Sequence, residues 1–216
     1  MTYLRPRLST PAFRDRDGRV IDYGDRWSGS PPDDTYSVVT HPERFAPLHA
    51  VADALIEHLR DTYDVVVEQG EDVVADLLHP VHHDVVKAVR LRPIGPSFAS
   101  LTFVLTGHPG VHVHAGLLHD FAYPVCSCDA CDSTWEHEAD RLERQVLAVV
   151  NGQYREGISF REGDPWLAYA LGSPDGPSSG GFRAHGMSPE SVQAAQDVLQ
   201  NLAGPWSAWP SASKRA

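Results

Sequence analysis

The stretch LTFVLTGHPGVHVHA, residues 101–115, contains two segments of alternating residues separated by a turn. Large apolar residues occupy every second position from Leu101 to Leu105, as in a strand with one buried face. The tetrapeptide GHPG, residues 107–110, is typical of a turn, and a second strand follows from Val111 to Ala115. Strands joined by so short a turn pair antiparallel. The stretch therefore predicts an antiparallel sheet at the centre of the fold.

Three segments with helical periodicity surround this sheet in the sequence. Their apolar residues recur every three or four positions, which gives each helix one buried face. The segments run from Phe45 to Leu59, from Trp135 to Val150 and from Pro189 to Leu202. Ser133 and Glu136 have capping-box spacing and predict the start of the second helix. We therefore expect an α+β fold in which an antiparallel β-sheet packs against about three main α-helices.

Composition divides the chain into three parts. Residues 1–40 are rich in Pro, Gly, Asp and Arg, and we expect an irregular N-terminal segment packed on the body. Residues 41–205 are expected to form a single α+β domain, because a chain of this length buries enough surface for one core. Residues 206–216 are expected to form a C-terminal tail. Inside the domain, the Gly-, Pro- and Ser-rich residues 172–181 predict a loop without regular structure.

The net charge of the chain makes some classes of binding partner unfavourable. Its formal net charge is −11, from 18 basic and 29 acidic residues. Such a surface repels the phosphates on which nucleic-acid affinity rests, and it disfavours anionic membranes for the same reason. We expect neither a nucleic-acid nor a membrane partner. A protein partner, in particular a basic one, is compatible with this charge.

The expected location follows from two missing features. The N-terminal residues lack the apolar run of a signal peptide, and no stretch contains the roughly 18 apolar residues of a membrane helix. We therefore expect a cytoplasmic protein, in which glutathione keeps thiols reduced. The chain has three cysteines, an odd number that fits a disulfide framework poorly. The expected cytoplasmic location and the odd number of cysteines both favour a metal site over disulfides.

All three cysteines lie within the heptapeptide VCSCDAC, directly before the second predicted helix. Cys128 and Cys131 have the C-x2-C spacing with which a tight turn presents two thiolates to one tetrahedral ion. Cys126 precedes them by two residues in an extended piece and points the same way as Cys128. The spacing therefore predicts a zinc site with three thiolate ligands.

The fourth ligand of this predicted site must come from outside the heptapeptide. His137, in the first turn of the helix, and His119, before the cysteines, are the nearest candidates, and His114 is the next. Four protein ligands would make the zinc structural, whereas three thiolates and a water would leave an open position for catalysis. Unliganded, reduced thiols are the remaining alternative.

Histidines form a second candidate site on the predicted sheet. His112 and His114 are two residues apart on one strand, so their side chains share a face and can grip one metal ion. A catalytic site needs a third protein ligand, which His119 or Asp120 could supply. The alternative is that His112 and His114 are two histidines on a solvated sheet face without a metal. The segment HPVHHD, residues 79–84, adds three more histidines, although loop histidines usually serve no metal or proton-transfer function.

The segment YPVCSCDACDSTWEHEADRLERQVLAVV, residues 123–150, resembles the signature of an uncharacterised actinobacterial family, a domain of unknown function with a CxCxxC motif. DGRVIDYGDRW, residues 17–27, and HPERFAPLHAVADAL, residues 41–55, support this resemblance. The resemblance implies a small bacterial cytosolic protein. It implies no established activity and adds no catalytic residue.

Three functional hypotheses remain open at the level of sequence. The leading one is a non-enzymatic module that carries a structural zinc and binds a protein partner. The second is a metal-dependent enzyme that uses the sheet histidines. The third is a thiol redox protein that uses the cysteines. The sequence does not decide whether the protein is an enzyme.

Overall fold

A five-stranded antiparallel sheet forms the centre of the computed structural model, which describes residues 2–172, 176–184, 187–202 and 204–212. The strands lie in chain order, each beside the next: β1 (Val65–Gln69), β2 (Val85–Pro93), β3 (Leu101–Thr106), β4 (Gly110–Ala115) and β5 (His119–Tyr123). The register pairs Leu101 with Ala115 and Thr106 with Gly110, so the antiparallel pair predicted from residues 101–115 is confirmed. Strand β5 was not predicted.

A second antiparallel sheet has three strands, β6 (Tyr154–Arg161), β7 (Asp164–Leu171) and β8 (Ser178–Arg183). The prediction that residues 172–181 lack regular structure was wrong for the part that forms β8. A Cβ atom at Gly181 would lie 2.6 Å from the indole nitrogen of Trp166, and one at Gly180 would lie 2.8 Å from the ring of Tyr169. Glycines in this strand therefore make room for aromatic rings on its neighbour.

The described residues also form three α-helices: α1 (Pro47–Thr62), α2 (Trp135–Val150) and α3 (Pro189–Gln200). Apolar residues of α1 and α2 pack on one face of the five-stranded sheet in the main core. Ala195 of α3 packs instead with Leu118 and Leu167, at the second sheet. The α+β class, with antiparallel sheet packed against three main helices, is confirmed.

The opposite face of the five-stranded sheet is partly covered by a 3₁₀ helix, Glu71–Asp76. Val73 of this helix packs with Ala88 and Val104 of the sheet. The rest of this face carries polar side chains, among them His112 and His114. In the part of the chain that the structure describes, no helix is long and apolar enough to span a membrane.

Two terminal segments contact the body through polar groups. The Tyr3 hydroxyl donates to Glu143 of α2 (2.7 Å), and Arg5 donates to the same carboxylate (2.8 Å). Near the other end, the buried indoles of Trp206 and Trp209 donate to Glu156 (2.9 Å) and to the carbonyl of Ala99 (2.8 Å). The division into segment, domain and tail at residues 40 and 205 stays a prediction.

Candidate metal site and histidine pocket

The three cysteine side chains converge at the end of the loop that joins β5 to α2. All are free thiols, and their sulfur atoms lie within 4.8 Å of one another. The Sγ–Sγ distance is 3.2 Å from Cys126 to Cys128 and 3.4 Å from Cys128 to Cys131. A tetrahedral zinc with Zn–S bonds of about 2.3 Å holds its sulfurs about 3.8 Å apart. A small outward movement of the thiols would therefore accommodate the ion.

A buried ion pair holds the cysteine loop, residues 124–134, in this shape. The Asp129 carboxylate accepts hydrogen bonds from the backbone N–H of Thr40 (3.2 Å) and from the Thr40 hydroxyl. The backbone N–H of Asp129 donates to the Val38 carbonyl (2.7 Å). The buried Arg44 guanidinium lies 3.8 Å from Asp129 and donates to the Ser127 carbonyl (2.9 Å). Because these partners precede the loop by more than 80 positions, tertiary contacts maintain its conformation.

A single 3₁₀ turn, Asp129–Cys131, produces the C-x2-C geometry. The N–H of Cys131 donates to the carbonyl of Cys128 (3.2 Å), which brings the two side chains to one side. Asp132 then adopts a left-handed conformation, with φ of 50°. Thr134, rather than the predicted Ser133, caps α2, because its hydroxyl accepts from the N–H of His137 (3.2 Å). The cap is therefore one residue later than the capping-box spacing predicted, whereas the helix begins at Trp135, as the apolar periodicity predicted.

The thiols perturb one another's protonation. Burial alone would raise the pKa of Cys128, but hydrogen bonds from Cys126, Cys131 and backbone amides outweigh it and lower the pKa to about 7. Hydrogen bonds with the same two neighbours, together with burial, raise the pKa of Cys131 to about 12. Cys128 therefore ionises more readily than Cys131, and a thiolate is the form that binds metal.

No histidine completes the cysteine cluster in the described residues, where the group of potential ligands consists of the three thiols alone. His137 is exposed in the first turn of α2. His119 and His114 bind carboxylates elsewhere, Glu156 (2.9 Å) and Asp120 (2.8 Å) respectively. A histidine as fourth ligand stays a prediction.

The register of β4 and β5 separates the histidines that were expected to share a catalytic metal. His112 and His114 lie on one face of the sheet, opposite Ala122 and Asp120. His119 pairs with Ala115 and lies on the other face, because successive residues of a strand alternate. The structure therefore brings His112 and His114 to one face and places His119 in the core, where its Nδ1–H donates to Glu156.

His114 forms a carboxylate–histidine pair with Asp120 on the polar face. The second oxygen of Asp120 accepts from the backbone N–H of His79 (3.0 Å), so the carboxylate is held from two sides. Such pairs orient the imidazole of metal ligands and of general bases. The sequence indicated Asp120 as a possible third ligand beside His112 and His114, but its pairing with His114 depends on the register of β5, which the sequence did not give.

A cavity of about 230 Å³ next to the cysteine loop is lined by four histidines, which we call the histidine pocket: His82, His83, His108 and His112. The rings of His83 and His108 stack with their centroids 4.7 Å apart. Nε2 of His108 lies 3.2 Å from the hydroxyl oxygen of Ser127, a residue that separates two of the cysteines in the sequence. Burial lowers the pKa of His112 and of His108, so both are more readily neutral. The segment HPVHHD contained a partial signal of this pocket.

The fold and site define an α+β protein with a cluster of three thiols that could hold a metal ion. The model of a family of unknown function (DUF6226) matches residues 9–213, so the chain belongs to that family. The predicted resemblance to a family of unknown function with this cysteine motif is thereby confirmed, while an actinobacterial origin stays a prediction. No curated protein and no solved structure matches the chain.

Proposed function

We propose that the protein binds one zinc ion through Cys126, Cys128 and Cys131, and that this ion stabilises a protein-binding module. The observation that carries the proposal is the convergence of the three sulfur atoms within 4.8 Å. Thiolates are soft ligands that favour zinc among the common divalent ions. The buried guanidinium of Arg44 donates to the carbonyls of Ser127 and Cys128 and so supports the backbone that carries the thiols.

The module interpretation rests on the surroundings of the cluster. Val125 lies in the cysteine loop and is 65% exposed, and Val38, whose carbonyl accepts from the Asp129 N–H, is 44% exposed. Tyr36, two residues before Val38, is 55% exposed. Exposed apolar side chains grouped in this way are typical of protein contacts. The net charge of −11 favours a basic partner. The zinc would keep this surface ordered.

The decisive experiment is the metal content of the full chain, purified without a histidine tag under reducing conditions. We expect about one zinc per chain, from the single three-thiol cluster among the described residues. The Cys128→Ser variant should lose the zinc and have a lower Tm. The Ser127→Ala variant, which removes no thiol, should keep the zinc and the Tm of the wild type. Absence of metal from freshly purified wild-type protein would contradict the proposal.

A metal-dependent enzyme is the second candidate, favoured by the His114–Asp120 pair and the adjacent histidine pocket. In this alternative the ion binds on the polar sheet face and not at the thiols. Zinc retained after all three cysteines are changed to serine, but lost in His112→Ala, would support the enzyme. The same samples thus distinguish the two candidates.

A thiol redox role is favoured by the lowered pKa of Cys128 and by the 3.2 Å contact between Cys126 and Cys128. In that reaction the Cys128 thiolate attacks glutathione disulfide and releases glutathione, and a second cysteine thiol then displaces the other glutathione to form a protein disulfide. Metal-free protein that forms this disulfide rapidly would support the redox role. Zinc-loaded protein that resists the oxidant would argue against it.

A further inference from the structure

A cavity of about 450 Å³ opens between the edge strand β5, helix α2 and the second sheet. We call it the arginine cavity. The side chains that matter for its chemistry are Tyr123, Arg141, Arg144, Gln145 and Tyr169. A volume of this size is sufficient for a small metabolite. The cavity shares no cysteine with the proposed zinc site.

Gln145 provides an unused hydrogen-bond donor in the wall of this cavity. The residue is 3% exposed, its Oε1 accepts from the hydroxyl of Tyr123 (2.8 Å), and its Nε2 has no partner in the described part of the chain. Exchanging the amide oxygen and nitrogen would leave two groups unpaired in place of one, because the Tyr123 hydroxyl hydrogen would lose its acceptor and the amide oxygen would have no donor. Since buried polar groups are nearly always satisfied, a bound acceptor is expected here.

Two cations of α2 lie beside this donor. Arg141 donates to Glu138 (2.9 Å) and lies 5.8 Å from the ring of Tyr123. Arg144 is exposed and forms no ion pair with the carboxylates of the described residues. A free arginine in a chain of net charge −11 attracts an anion to this place.

The remaining wall is compatible with an organic anion. Asp120 is the one acidic residue among the described residues that line the cavity, and its oxygens are occupied by His114 and by the N–H of His79. The rings of Phe121 and Tyr169 meet edge to face at 4.9 Å and offer an apolar surface. An anionic head between the arginines would leave its carbon skeleton against these rings.

We infer that the arginine cavity binds a small organic anion. Its carboxylate or phosphate group accepts hydrogen bonds from Arg141, Arg144 and the Gln145 amide, and planar guanidinium groups suit both kinds of oxyanion. This inference is independent of the proposed zinc function, because the residues of the two sites differ.

The test is NMR titration of the ¹⁵N-labelled full chain with inorganic phosphate and, separately, with succinate, at constant ionic strength. We expect saturable shifts of the Gln145 side-chain amide. Arg144→Gln should weaken binding about tenfold or more, because a charge-assisted hydrogen bond is lost. Gln145→Glu should abolish binding, since it removes the donor and adds a negative charge. Arg7→Gln, at an exposed arginine of the N-terminal segment, should bind as the wild type does.

Each outcome of the titration decides the inference. Saturation by phosphate alone identifies a phosphate ester as the ligand class, and saturation by succinate alone identifies a carboxylic acid. Shifts that stay linear with both anions, or that persist unchanged in Arg144→Gln, would overturn the inference.

Discussion

At the scale of single residues, Asp76 shows how the polar face of the sheet is organised. Its carboxylate accepts from Nε of Arg90 (2.6 Å) and from the hydroxyl of Thr102 (2.5 Å). Burial alone would raise the pKa of Asp76, but the hydrogen bonds from Arg90 and Thr102 outweigh it and hold the pKa below 3.8. The charged form of Asp76 is therefore stabilised by folding.

The lowered pKa of Asp76 predicts a pH-dependent contribution to stability. A carboxyl whose folded pKa is depressed contributes fully above its unfolded pKa, near 3.8, and loses the contribution as the pH falls through the folded value. Asp76→Asn should lower the free energy of unfolding by about 2 kcal/mol at pH 7, and the gap to wild type should shrink below pH ~4. Urea unfolding of both proteins at several pH values from 7 to ~3 measures this difference in the free energy of unfolding.

The exposed Asp72 of the same 3₁₀ helix is the matched control for this measurement. Asp72→Asn should change the free energy of unfolding by about 0.5 kcal/mol or less at pH 7. A gap between Asp76→Asn and wild type that stayed constant down to pH ~3 would show that the charge of Asp76 is not the cause.

At the scale of elements, the start of α2 is coupled to the cysteine loop. Cys131 ends the 3₁₀ turn, and Thr134 caps the helix three residues later. A thiolate just before a helix start is stabilised by the partial positive charge of the free N–H groups there. For Cys131, hydrogen bonds with Cys126 and Cys128 and burial outweigh this effect and raise the pKa, so the cap is coupled to the candidate metal site through the geometry of the loop.

The cap predicts a measurable loss of stability. Thr134→Ala removes the acceptor for the His137 N–H and should lower the free energy of unfolding by about 1 kcal/mol. Thr134→Ser keeps the hydroxyl and should therefore retain most of the stability that Thr134→Ala loses. Urea unfolding followed by circular dichroism compares the two variants. If Thr134→Ser is as unstable as Thr134→Ala, the methyl group and not the hydrogen bond is responsible.

At the scale of the whole molecule, Glu156 connects parts of the chain that are distant in sequence. Its buried carboxylate, on β6, accepts from the N–H groups of Leu117 (3.0 Å) and Leu118 (2.8 Å), which precede β5. It also accepts from His119 (2.9 Å) and from the indole of Trp206 (2.9 Å). One side chain thus links the second sheet, the central sheet and the C-terminal segment.

Glu156→Gln should therefore be strongly destabilising. A glutamine amide has one acceptor oxygen in place of two, and its NH₂ group would face N–H donors. We expect a loss of about 3 kcal/mol in the free energy of unfolding, measured in urea. Glu162→Gln is the matched control, because Glu162 is 84% exposed and, within the part of the chain that the structure describes, pairs only with Arg183 at the surface. Similar unfolding midpoints for the two variants would contradict the prediction.

Much of the fold was predictable because its signals are local. The strands β3 and β4 followed from alternation across a short turn, and the helices followed from apolar spacing. Strand β5 is only five residues long, and β8 contains adjacent glycines that are typical of loops. Both strands exist because a neighbouring strand supplies hydrogen bonds and rings to pack against, which no local pattern expresses.

In the candidate site, too, one part could be predicted from the sequence and another part only from the tertiary structure. The sequence by itself determined that three thiols meet, because all three lie within six residues and a single turn closes the distance. Only the tertiary structure decided what surrounds them: Arg44 and Asp129 under the loop, and the histidine pocket beside it. It alone also placed His119 on the opposite sheet face and left Nε2 of Gln145 without a partner among the described residues, since both depend on strand register and on contacts between distant residues.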